Sequence, residues 1–311
     1  MVTITINRAK NKVQPVSERI LKPSTDYSME VSIRKGGVDS FKQNDRIELR
    51  GDSSMKMILD ALQGLFDKVH LNMNIIVHFG DYPKEKPQEY HFYYCVEDKE
   101  DLPFCVPDFV FDAWKVAGIA NYTETMTEII RRSRMPPQSD KLFWIGNVQT
   151  HKNRSMFMKI AAAHPDKIEA HDTMVSNKFL GKSVPYISLP DHTHYKYLID
   201  IEGNGYSGRI PFLLATGRVL FIQERRWKSY FHFDLDPYKH FIPVKNDFSD
   251  LLQQIDFVES NGEAYYREIA QNALEFAQNN LTYEKAVEVW QQKLVGMRKR
   301  NQSYRVQVSK K

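Results

Sequence analysis

A glycine-rich turn follows a strand-like segment in the second half of the chain. Residues 197–201 are aromatic or aliphatic apart from Asp200, and Gly203, Gly205 and Gly208 come soon after them. Such a turn can leave backbone N–H groups free at a helix N-terminus, where the helix dipole favours negative charge. Arg209 adds a planar, permanently charged group that fits phosphate oxygens. The pattern is typical of a site that holds a diphosphate.

The glycines by themselves leave two interpretations open. Their spacing fits neither the dinucleotide fingerprint G-x-G-x-x-G nor a P-loop, because no Gly-Lys-Ser/Thr follows. A plain strand-to-helix turn, in which the glycines permit unusual backbone angles, explains the same residues. On these grounds the two interpretations have equal weight.

Two further side chains could act on a phosphorylated substrate. Asp81 comes directly after the apolar run 74–79, where open α/β sheets place functional residues, and its carboxylate could accept a proton from a hydroxyl. Arg154 stands at the start of a helical segment that follows a strand and a turn, which again suits an anion. The plainer alternatives are an aspartate that caps the turn before Pro83 and a surface arginine.

The sequence predicts no metal site. Asp234 and Asp236 resemble the Asp-x-Asp pair that holds a divalent metal in some sugar transferases, but the Asp-Pro sequence that follows indicates a turn. His192 and His194 could supply two ligands, but no cysteine or acidic residue stands at the spacing of a metal site. We expect structural roles for all four.

The composition is that of a globular protein in a reducing compartment. The chain has 311 residues, of which 42% are hydrophobic and 26% are charged, and its length suits two domains. No apolar run is long enough to span a membrane, and residues 1–12 favour a strand over a secretory signal. Two cysteines, Cys95 and Cys105, provide no disulfide framework. We expect a cytoplasmic location.

The positive charge is concentrated at the end of the chain. The net charge is +4, but residues 297–311 contain six Lys or Arg and no acid. Such a tail could touch an anionic membrane surface or nucleic acid. A solvated, disordered end is the slightly preferred interpretation. We expect no nucleic-acid binding and leave a peripheral membrane contact open.

Strands alternate with helices on both sides of a proline-rich break. This alternation predicts two open α/β domains. Pro136 and Pro137, with polar neighbours, mark the break. We therefore predict an N-terminal domain over residues 1–135, a C-terminal domain with closing helices over 136–296, and a basic tail over 297–311.

Four segments together resemble glycosyltransferase family 90. This family includes the protein O-glucosyltransferases, the fungal capsule-associated proteins and bacterial lipopolysaccharide-core glycosyltransferases. The segments are 80–83 (Gly-Asp-Tyr-Pro), 143–154, 191–209 with the glycine-rich turn, and 240–247. Each motif alone is weak, but their order and spacing over residues 74–290 make the resemblance specific.

The resemblance implies a GT-B type α/β fold, in which two Rossmann-like domains face a cleft, with C-terminal helices. It also implies an inverting hexosyltransferase that moves a sugar from a nucleotide sugar to a saccharide hydroxyl. The expected donor is a UDP-hexose. Domain 1–135 would take the acceptor and domain 136–296 the donor. Asp81 would be the catalytic base that deprotonates the acceptor hydroxyl, with a transition state resembling an oxocarbenium ion.

The family's donor-binding positions also map onto this chain. Arg154 and Arg209 match the arginines that hold the diphosphate, and Ser207 belongs to the donor-binding turn. The expected donor site consists of Thr150, Arg154, Gly203, Asn204, Gly205, Tyr206, Ser207, Gly208 and Arg209. We expect no metal and no cofactor besides the co-substrate, because the arginines would stabilise the leaving diphosphate as a metal does elsewhere.

Some features depart from the family pattern. Ile145-Gly146 stands where the family often has Arg-Gly, so one phosphate or acceptor contact would be absent. The expected lack of a signal sequence and of extra cysteines favours the bacterial branch. The acceptor would then be the lipopolysaccharide core, reached in the cytoplasm or on the inner membrane. The alternative function is a catalytically silent partner protein that binds a sugar nucleotide.

Overall fold

The computed structural model describes residues 2–7, 12–18, 27–44, 48–66, 68–69, 71–173 and 187–308. The chain forms two compact units. Unit 1 combines Met1–Trp114 with Tyr283–Lys311, and unit 2 is Lys115–Thr282. In the described residues, unit 2 has one five-stranded sheet, and unit 1 has a four-stranded sheet and a two-stranded antiparallel sheet of Val2–Asn7 and Lys12–Glu18.

The strands and helices of the described residues are as follows. The strands are β1 (Val2–Asn7), β2 (Lys12–Glu18), β3 (Ser28–Arg34), β4 (Gly37–Asn44), β5 (Met73–His78), β6 (His91–Tyr93), β7 (Ser139–Gly146), β8 (Ile168–Asp172), β9 (Tyr195–Asp200), β10 (Val219–Gln223) and β11 (Ile242–Val244). The α-helices are α1 (Glu48–Leu65), α2 (Tyr122–Ser133), α3 (Lys152–Ala163), α4 (Ile210–Leu214), α5 (Leu251–Ser260), α6 (Gly262–Asn280) and α7 (Tyr283–Val308). Short 3-10 turns connect several of them.

The sheet of unit 2 has five parallel strands in the order β11-β10-β9-β7-β8. Numbered along the unit, this is the doubly wound order 2-1-3-4-5. Its central strands are apolar and buried on both faces, as parallel sheets require: Leu142, Ile199 and Phe221 belong to one core cluster. The strand order reverses between β7 and β9. Ligands of such folds bind beyond the carboxyl ends of the strands at this reversal.

The sheet of unit 1 is mixed. Its order is β4-β3-β5-β6, with β3 antiparallel to both β4 and β5, and β5 parallel to β6. The antiparallel pair follows from a tight turn in which Lys35 (φ 50°) and Gly36 (φ 77°) both have positive φ, as a two-residue hairpin of type I′ needs. The predicted α/β class is therefore confirmed, with a parallel sheet in unit 2 and a hairpin in the sheet of unit 1.

The units divide the chain differently from the predicted boundaries at residues 135 and 296. Helix α2 belongs to unit 2, where Arg132 forms an ion pair of 2.5 Å with Asp191 and Tyr122 packs 5.1 Å from the ring of Phe212. The proline-rich break therefore lies inside unit 2. Side-chain contacts over long sequence separations set these limits, and local composition does not report such contacts.

The last helix returns to unit 1. In α7, Trp290 is fully buried and meets the ring of Phe92 edge-on at 5.6 Å. Leu294 and Met297 continue the same buried face at helical spacing. The predicted disordered tail is wrong for residues 297–308, because the helix runs on through Val308. None of the helices described is both long and apolar enough to cross a membrane.

Helix α1 buries two serines of its second turn within unit 1. The helix begins at Glu48, so both serines lie inside it. Ser53 donates a hydrogen bond of 2.7 Å to Asp112, and Ser54 pairs with the hydroxyl of Tyr94 at 2.6 Å. Both serines are buried and serve packing within unit 1.

We expect Trp290→Ala to lower the free energy of unfolding of unit 1 by about 3–5 kcal/mol, because a fully buried indole is replaced by a cavity. Urea unfolding followed by circular dichroism measures this loss. Gln292→Ala, at an exposed site of the same helix, is the control and should change stability by less than about 0.5 kcal/mol. Equal effects of the two variants would contradict the packing of α7 on unit 1.

Candidate functional site

Two predicted arginines converge on the reversal point of the unit 2 sheet. Arg154, from the first turn of α3, donates hydrogen bonds to the backbone oxygens of Asn147 (3.0 Å), Ile201 (3.2 Å) and Glu202 (2.9 Å). Arg209 donates from Nη1 to the backbone oxygen of Ile145 at 2.6 Å. The two side chains therefore lie across the carboxyl ends of β7 and β9.

Arg154 is a partly buried cation held by backbone carbonyls rather than a free surface arginine. Its three hydrogen bonds all go to neutral carbonyls, and no carboxylate pairs with it among the described residues. Burial, and then the neighbouring charge of Arg209, lower the pKa of Arg154 to about 9, against the opposing effect of Asp200. Two of its five N–H donors have no partner in the part of the chain that the structure describes.

Asp200 is the buried carboxylate around which this region is organised. It lies at the end of β9 with no exposed surface, and its Oδ2 is 2.6 Å from Nη1 of Arg225. Arg209 Nη2 lies 3.1 Å from Oδ1, and Ser207 donates to the same oxygen at 2.8 Å. Burial alone would raise the pKa of Asp200, but the two arginines and these hydrogen bonds hold it below its usual value.

The region carries more positive than negative charge. We call Arg154, Arg209 and Arg225 the arginine cluster. Two carboxylates face this cluster, those of Asp200 and Glu202. Glu202 Oε1 also accepts hydrogen bonds from the side-chain amides of Asn153 at 3.0 Å and Asn246 at 2.8 Å. Arg209 Nη2 is ion-paired with Asp200 Oδ1 at 3.1 Å but makes no well-aligned hydrogen bond to any described residue. A partly buried excess of guanidinium groups over carboxylates suits an anionic ligand.

Gly203 of the turn allows a close approach of side chains. None of Gly203, Gly205 and Gly208 has a positive φ, so the left-handed conformation that favours glycine is not used in this turn. A Cβ atom on Gly203 would lie 3.2 Å from Nη2 of Arg154 and 3.7 Å from Oγ1 of Thr150. Gly203 therefore leaves the space in which these two side chains meet the strand end.

The predicted contribution of a helix dipole needs correction. The helix after the turn, α4, has only five residues, and Pro211 near its start has no N–H group. The next two N–H groups, those of Phe212 and Leu213, already donate to the backbone oxygen of Arg209. Since a helix this short has little dipole, the positive character of the site comes from arginine side chains.

The other predicted donor-site residues have different surroundings. Ser207 is buried and bonded to Asp200, so it positions that carboxylate. Thr150 donates to the backbone oxygen of Asn147 at 3.0 Å beside Gly203. Of the remaining residues in the turn, Asn204 is exposed, Gly205 is buried, and Tyr206 and Gly208 are half-buried.

A cavity of ≈ 510 Å³ opens beyond the carboxyl ends of β10 and β11. Its walls include Arg225, Lys228 and His232. Burial, with the charges of Arg225 and Lys228, lowers the pKa of His232 to about 3, so the imidazole is neutral. His232 Nδ1 has no hydrogen-bond partner among the described residues. A neutral ring with an unused polar atom, beside two cations, can receive a polar ligand.

Asp81 lies in unit 1, just beyond the carboxyl end of β5 as predicted. Its Oδ1 is 3.1 Å from Nη1 of Arg50, and the Asp81 side chain is 39% exposed, which leaves it open to a substrate. Arg50 also donates to the backbone oxygen of Phe79 at 2.6 Å and lies 4.9 Å from the ring centre of Phe109. Arg50 therefore orients the carboxylate that could act as a base.

Sequence reasoning did not identify Asp200, Arg225, His232 or Arg50. The first two could have been found from their positions, since Asp200 ends a predicted strand and Arg225 follows another by two residues. Nothing local marks Arg50 or His232. Among the described residues, no group of three or more His, Cys, Asp or Glu could hold a metal ion. Metal independence itself stays a prediction.

Comparison with known proteins points to one family. The model of the family described as "Glycosyl transferase family 90" matches residues 19–311. Protein O-glucosyltransferase 2 of Danio rerio is 27% identical over 239 residues, which are 73% of this chain and 47% of that protein. Protein O-glucosyltransferase 1 of Homo sapiens is 31% identical over 166 residues, 53% of this chain and 40% of that protein. The chain thus spans less than half the length of these relatives.

Solved structures show weaker likenesses. A crystal structure of the GtfA/B complex aligns with 53% of this chain and 37% of its own, at 13% identity and a TM-score of 0.38. The sucrose-phosphate synthase of Thermosynechococcus elongatus aligns with 71% of this chain and 53% of its own, at 11% identity and a TM-score of 0.34. Likenesses of this size say nothing about the activity of this chain.

We expect Asp200→Asn to lower the free energy of unfolding of unit 2 by about 3–5 kcal/mol at pH 7, because Arg225 stays buried without its partner charge. The folded pKa of Asp200 is depressed, so its contribution is present above the unfolded value of about 3.9 and is lost as the pH falls through the folded value. Urea unfolding between pH 7 and 3 should show the difference from the wild type shrinking below about pH 5. A constant difference would contradict the ionised, paired state of Asp200.

Proposed function

Because the chain belongs to glycosyl transferase family 90, we propose that it transfers a sugar from a nucleotide sugar to a hydroxyl group. The observation that carries the proposal is the arginine cluster at the reversal point of the unit 2 sheet. A doubly wound sheet binds nucleotides beyond the carboxyl ends of its strands at that point. The excess positive charge there is what a diphosphate would neutralise.

We assign the diphosphate to Arg154 and Arg209. Arg154 has two unused N–H donors, and Arg209 Nη2 is ion-paired with Asp200 at 3.1 Å without a well-aligned hydrogen bond to any described residue. Guanidinium groups bind phosphate oxygens through such paired donors. Burial, and then repulsion from Arg209, lowers the pKa of Arg154, and a bound anion would offset both effects.

We assign the nucleoside to the cavity beyond β10 and β11. Its volume of ≈ 510 Å³ falls within the range of about 300–1,000 Å³ usual for small-molecule sites. Arg225 belongs to both the cavity wall and the arginine cluster, so the cavity adjoins the proposed diphosphate position. The relatives are named as glucosyltransferases, which makes UDP-glucose the first donor to test.

The proposed chemistry is a direct displacement with inversion. Asp81 takes the proton of the acceptor hydroxyl as that oxygen bonds to the anomeric carbon, and the bond from this carbon to the diphosphate oxygen breaks. The leaving diphosphate gains negative charge, which Arg154 and Arg209 stabilise electrostatically. In this proposal Arg50 acts as a positioning residue, because it touches Asp81 rather than the substrate.

Two kinds of acceptor are candidates. The relatives are named for the glucosylation of proteins, whereas lipopolysaccharide core is the acceptor that the sequence suggested. Both acceptors offer a hydroxyl group, and the proposed base can act on either. Lipopolysaccharide core, a cytoplasmic location and a membrane contact of the basic tail remain predictions, and comparison of cellular lipopolysaccharide by mass spectrometry with and without the protein tests the first.

We expect Arg209→Ala to weaken UDP binding by at least about 30-fold, because a buried, charge-assisted contact is removed. Isothermal titration with UDP gives the dissociation constant. Arg267→Ala removes an exposed arginine of the same unit and should leave UDP binding unchanged. Unchanged affinity of a folded Arg209→Ala variant would show that the diphosphate does not lie at the arginine cluster.

We expect Asp81→Asn to reduce sugar transfer by about a hundredfold or more while UDP affinity stays the same, because only the base is lost. Release of UDP from UDP-glucose in the presence of acceptor measures transfer. Asp98→Asn, a change to an exposed aspartate whose side chain makes no capping bond, is the matched control. Near-normal transfer by Asp81→Asn would remove this residue from the mechanism. UDP binding without any turnover by the wild type would favour the catalytically silent partner.

A further inference from the structure

A second cavity of unit 2 lies at the end of the sheet opposite the arginine cluster. Its volume is ≈ 510 Å³, and its walls are the proline-rich turn 133–137, the pair Gly217-Arg218 and one face of helix α6. The pair directly precedes β10, and the turn ends two residues before β7 begins, so the cavity adjoins the amino ends of these strands. The five residues of β10, at about 3.3 Å each, set it roughly 16 Å from the carboxyl ends where the arginine cluster lies. The cavity is therefore separate from the proposed donor site.

Arg218 lines this cavity as a buried cation. The residue is 4% exposed, and its guanidinium donates hydrogen bonds to neutral backbone oxygens. These belong to Thr193 (2.8 Å), Gly217 (3.0 Å), Ser133 (3.3 Å) and Met135 (2.5 Å). Burial lowers the pKa of Arg218, and no carboxylate in the part of the chain that the structure describes offsets this effect. A buried cation without a counter-charge is costly unless a ligand supplies one.

The backbone around Arg218 shapes the cavity in advance. Gly217 has a φ of 63°, which side chains rarely allow, and a Cβ atom there would lie 3.0 Å from Cβ of Ser133. This close approach brings Arg218 to the backbone oxygens that end α2. Pro136 and Pro137 continue the wall with a fixed φ and without N–H groups. The proline-rich break is therefore a stiff wall of this cavity.

The lining of the cavity carries more positive than negative charge. Its cations are Arg134, Arg218 and Arg267, and its single carboxylate, that of Glu263, pairs with Arg267 at 2.9 Å. Neither Arg134 nor Arg218 forms an ion pair with a described residue. Two guanidinium groups are therefore left for a ligand. A phosphate monoester carries about −1.5 to −2 charges near pH 7 and can neutralise both, whereas a carboxylate carries one.

The rest of the lining suits the organic part of such a ligand. Tyr266 is buried, and its hydroxyl lies beside Arg218 without a well-aligned hydrogen bond to any described residue. Leu274, two helical turns further along α6, adds apolar surface, as do Pro136 and Pro137. The volume falls within the range of about 300–1,000 Å³ usual for small-molecule sites, so the cavity has space for more than a phosphate group.

We propose that this cavity binds a phosphate monoester of a small organic molecule. The phosphate oxygens accept from the guanidinium groups of Arg134 and Arg218, which suit them in shape and charge. The organic part lies against the two prolines and Leu274. Arg218 is fixed by its backbone partners before the ligand arrives, while Arg134 is exposed at the end of α2 and completes the contact. This site goes beyond the proposed sugar transfer and does not depend on it.

The test is a titration of protein labelled at its methionine methyl groups with phenyl phosphate, in the presence of excess UDP to occupy the proposed donor site. Met135 lines the cavity and is 64% exposed, so its methyl resonance, assigned with Met135→Leu, reports on this site. We expect phenyl phosphate to shift this resonance in a saturable way, with the other methionines unchanged. Benzoate, which has the same ring but a single charge, should bind about tenfold more weakly.

Two exposed lining residues are the positions to vary. Arg134→Gln should weaken phenyl phosphate binding by about tenfold, because a charge-assisted contact is lost, and should leave UDP binding unchanged. Lys159→Gln, which removes a positive charge from an exposed position of α3 outside the lining, is its control. Gln271→Glu places a negative charge in the wall and should also weaken binding. Gln253→Glu makes the same change at an exposed position of α5 and should have no effect.

Four results would overturn the inference: no saturable shift of Met135, loss of the shift in excess UDP, benzoate binding as tight as that of phenyl phosphate, or Arg134→Gln binding as tightly as the wild type. UDP binding without phenyl phosphate binding defeats this inference alone. Phenyl phosphate binding by a protein that does not bind UDP defeats the proposed function alone.

Discussion

The ion pairs of Asp200 are the interaction on which the proposed donor site depends. This carboxylate is fully buried, and it stays ionised because Arg225 and Arg209 approach its two oxygens at 2.6 Å and 3.1 Å. Separating a buried arginine from its carboxylate would leave an unpaired charge and cost stability. Asp200 therefore fixes the positions of both arginines. One carboxylate cannot neutralise two guanidinium groups and the nearby Arg154. The site is therefore held together by an arrangement that leaves positive charge for a ligand.

The parallel sheet determines where that charge lies. Arg154 and Arg209 both hydrogen-bond to backbone oxygens at the carboxyl ends of β7 and β9, where carbonyl groups have no further strand to pair with. The arginines satisfy these carbonyls and are themselves fixed by them. Gly203 permits the close approach of Arg154 because it has no side chain. The arginines that satisfy the carbonyl groups at the strand ends thus also provide positive charge for an anion.

Unit 1 builds its site with a different kind of interaction. Arg50 orients Asp81, and a neighbouring cavity is lined by the stacked rings of His78 and Tyr93. This stack exists because β5 and β6 are parallel and in register, so that residues far apart in the chain end side by side. Helix α7 packs on the same unit through Trp290, although it follows all of unit 2 in sequence.

The sequence by itself determined the α/β class, the strand before the glycine-rich turn to within two residues, and the placement of Asp81 after an apolar strand. It also determined the family, through the order and spacing of short motifs. These features are local, because hydrophobic periodicity, apolar runs and turn residues each involve only a few neighbouring positions in the sequence. Only the tertiary structure decided which charges Asp200, Arg225 and Arg50 pair with and that α7 belongs to unit 1. Charge pairing and burial join residues across the fold, and no local pattern records which side chains will meet.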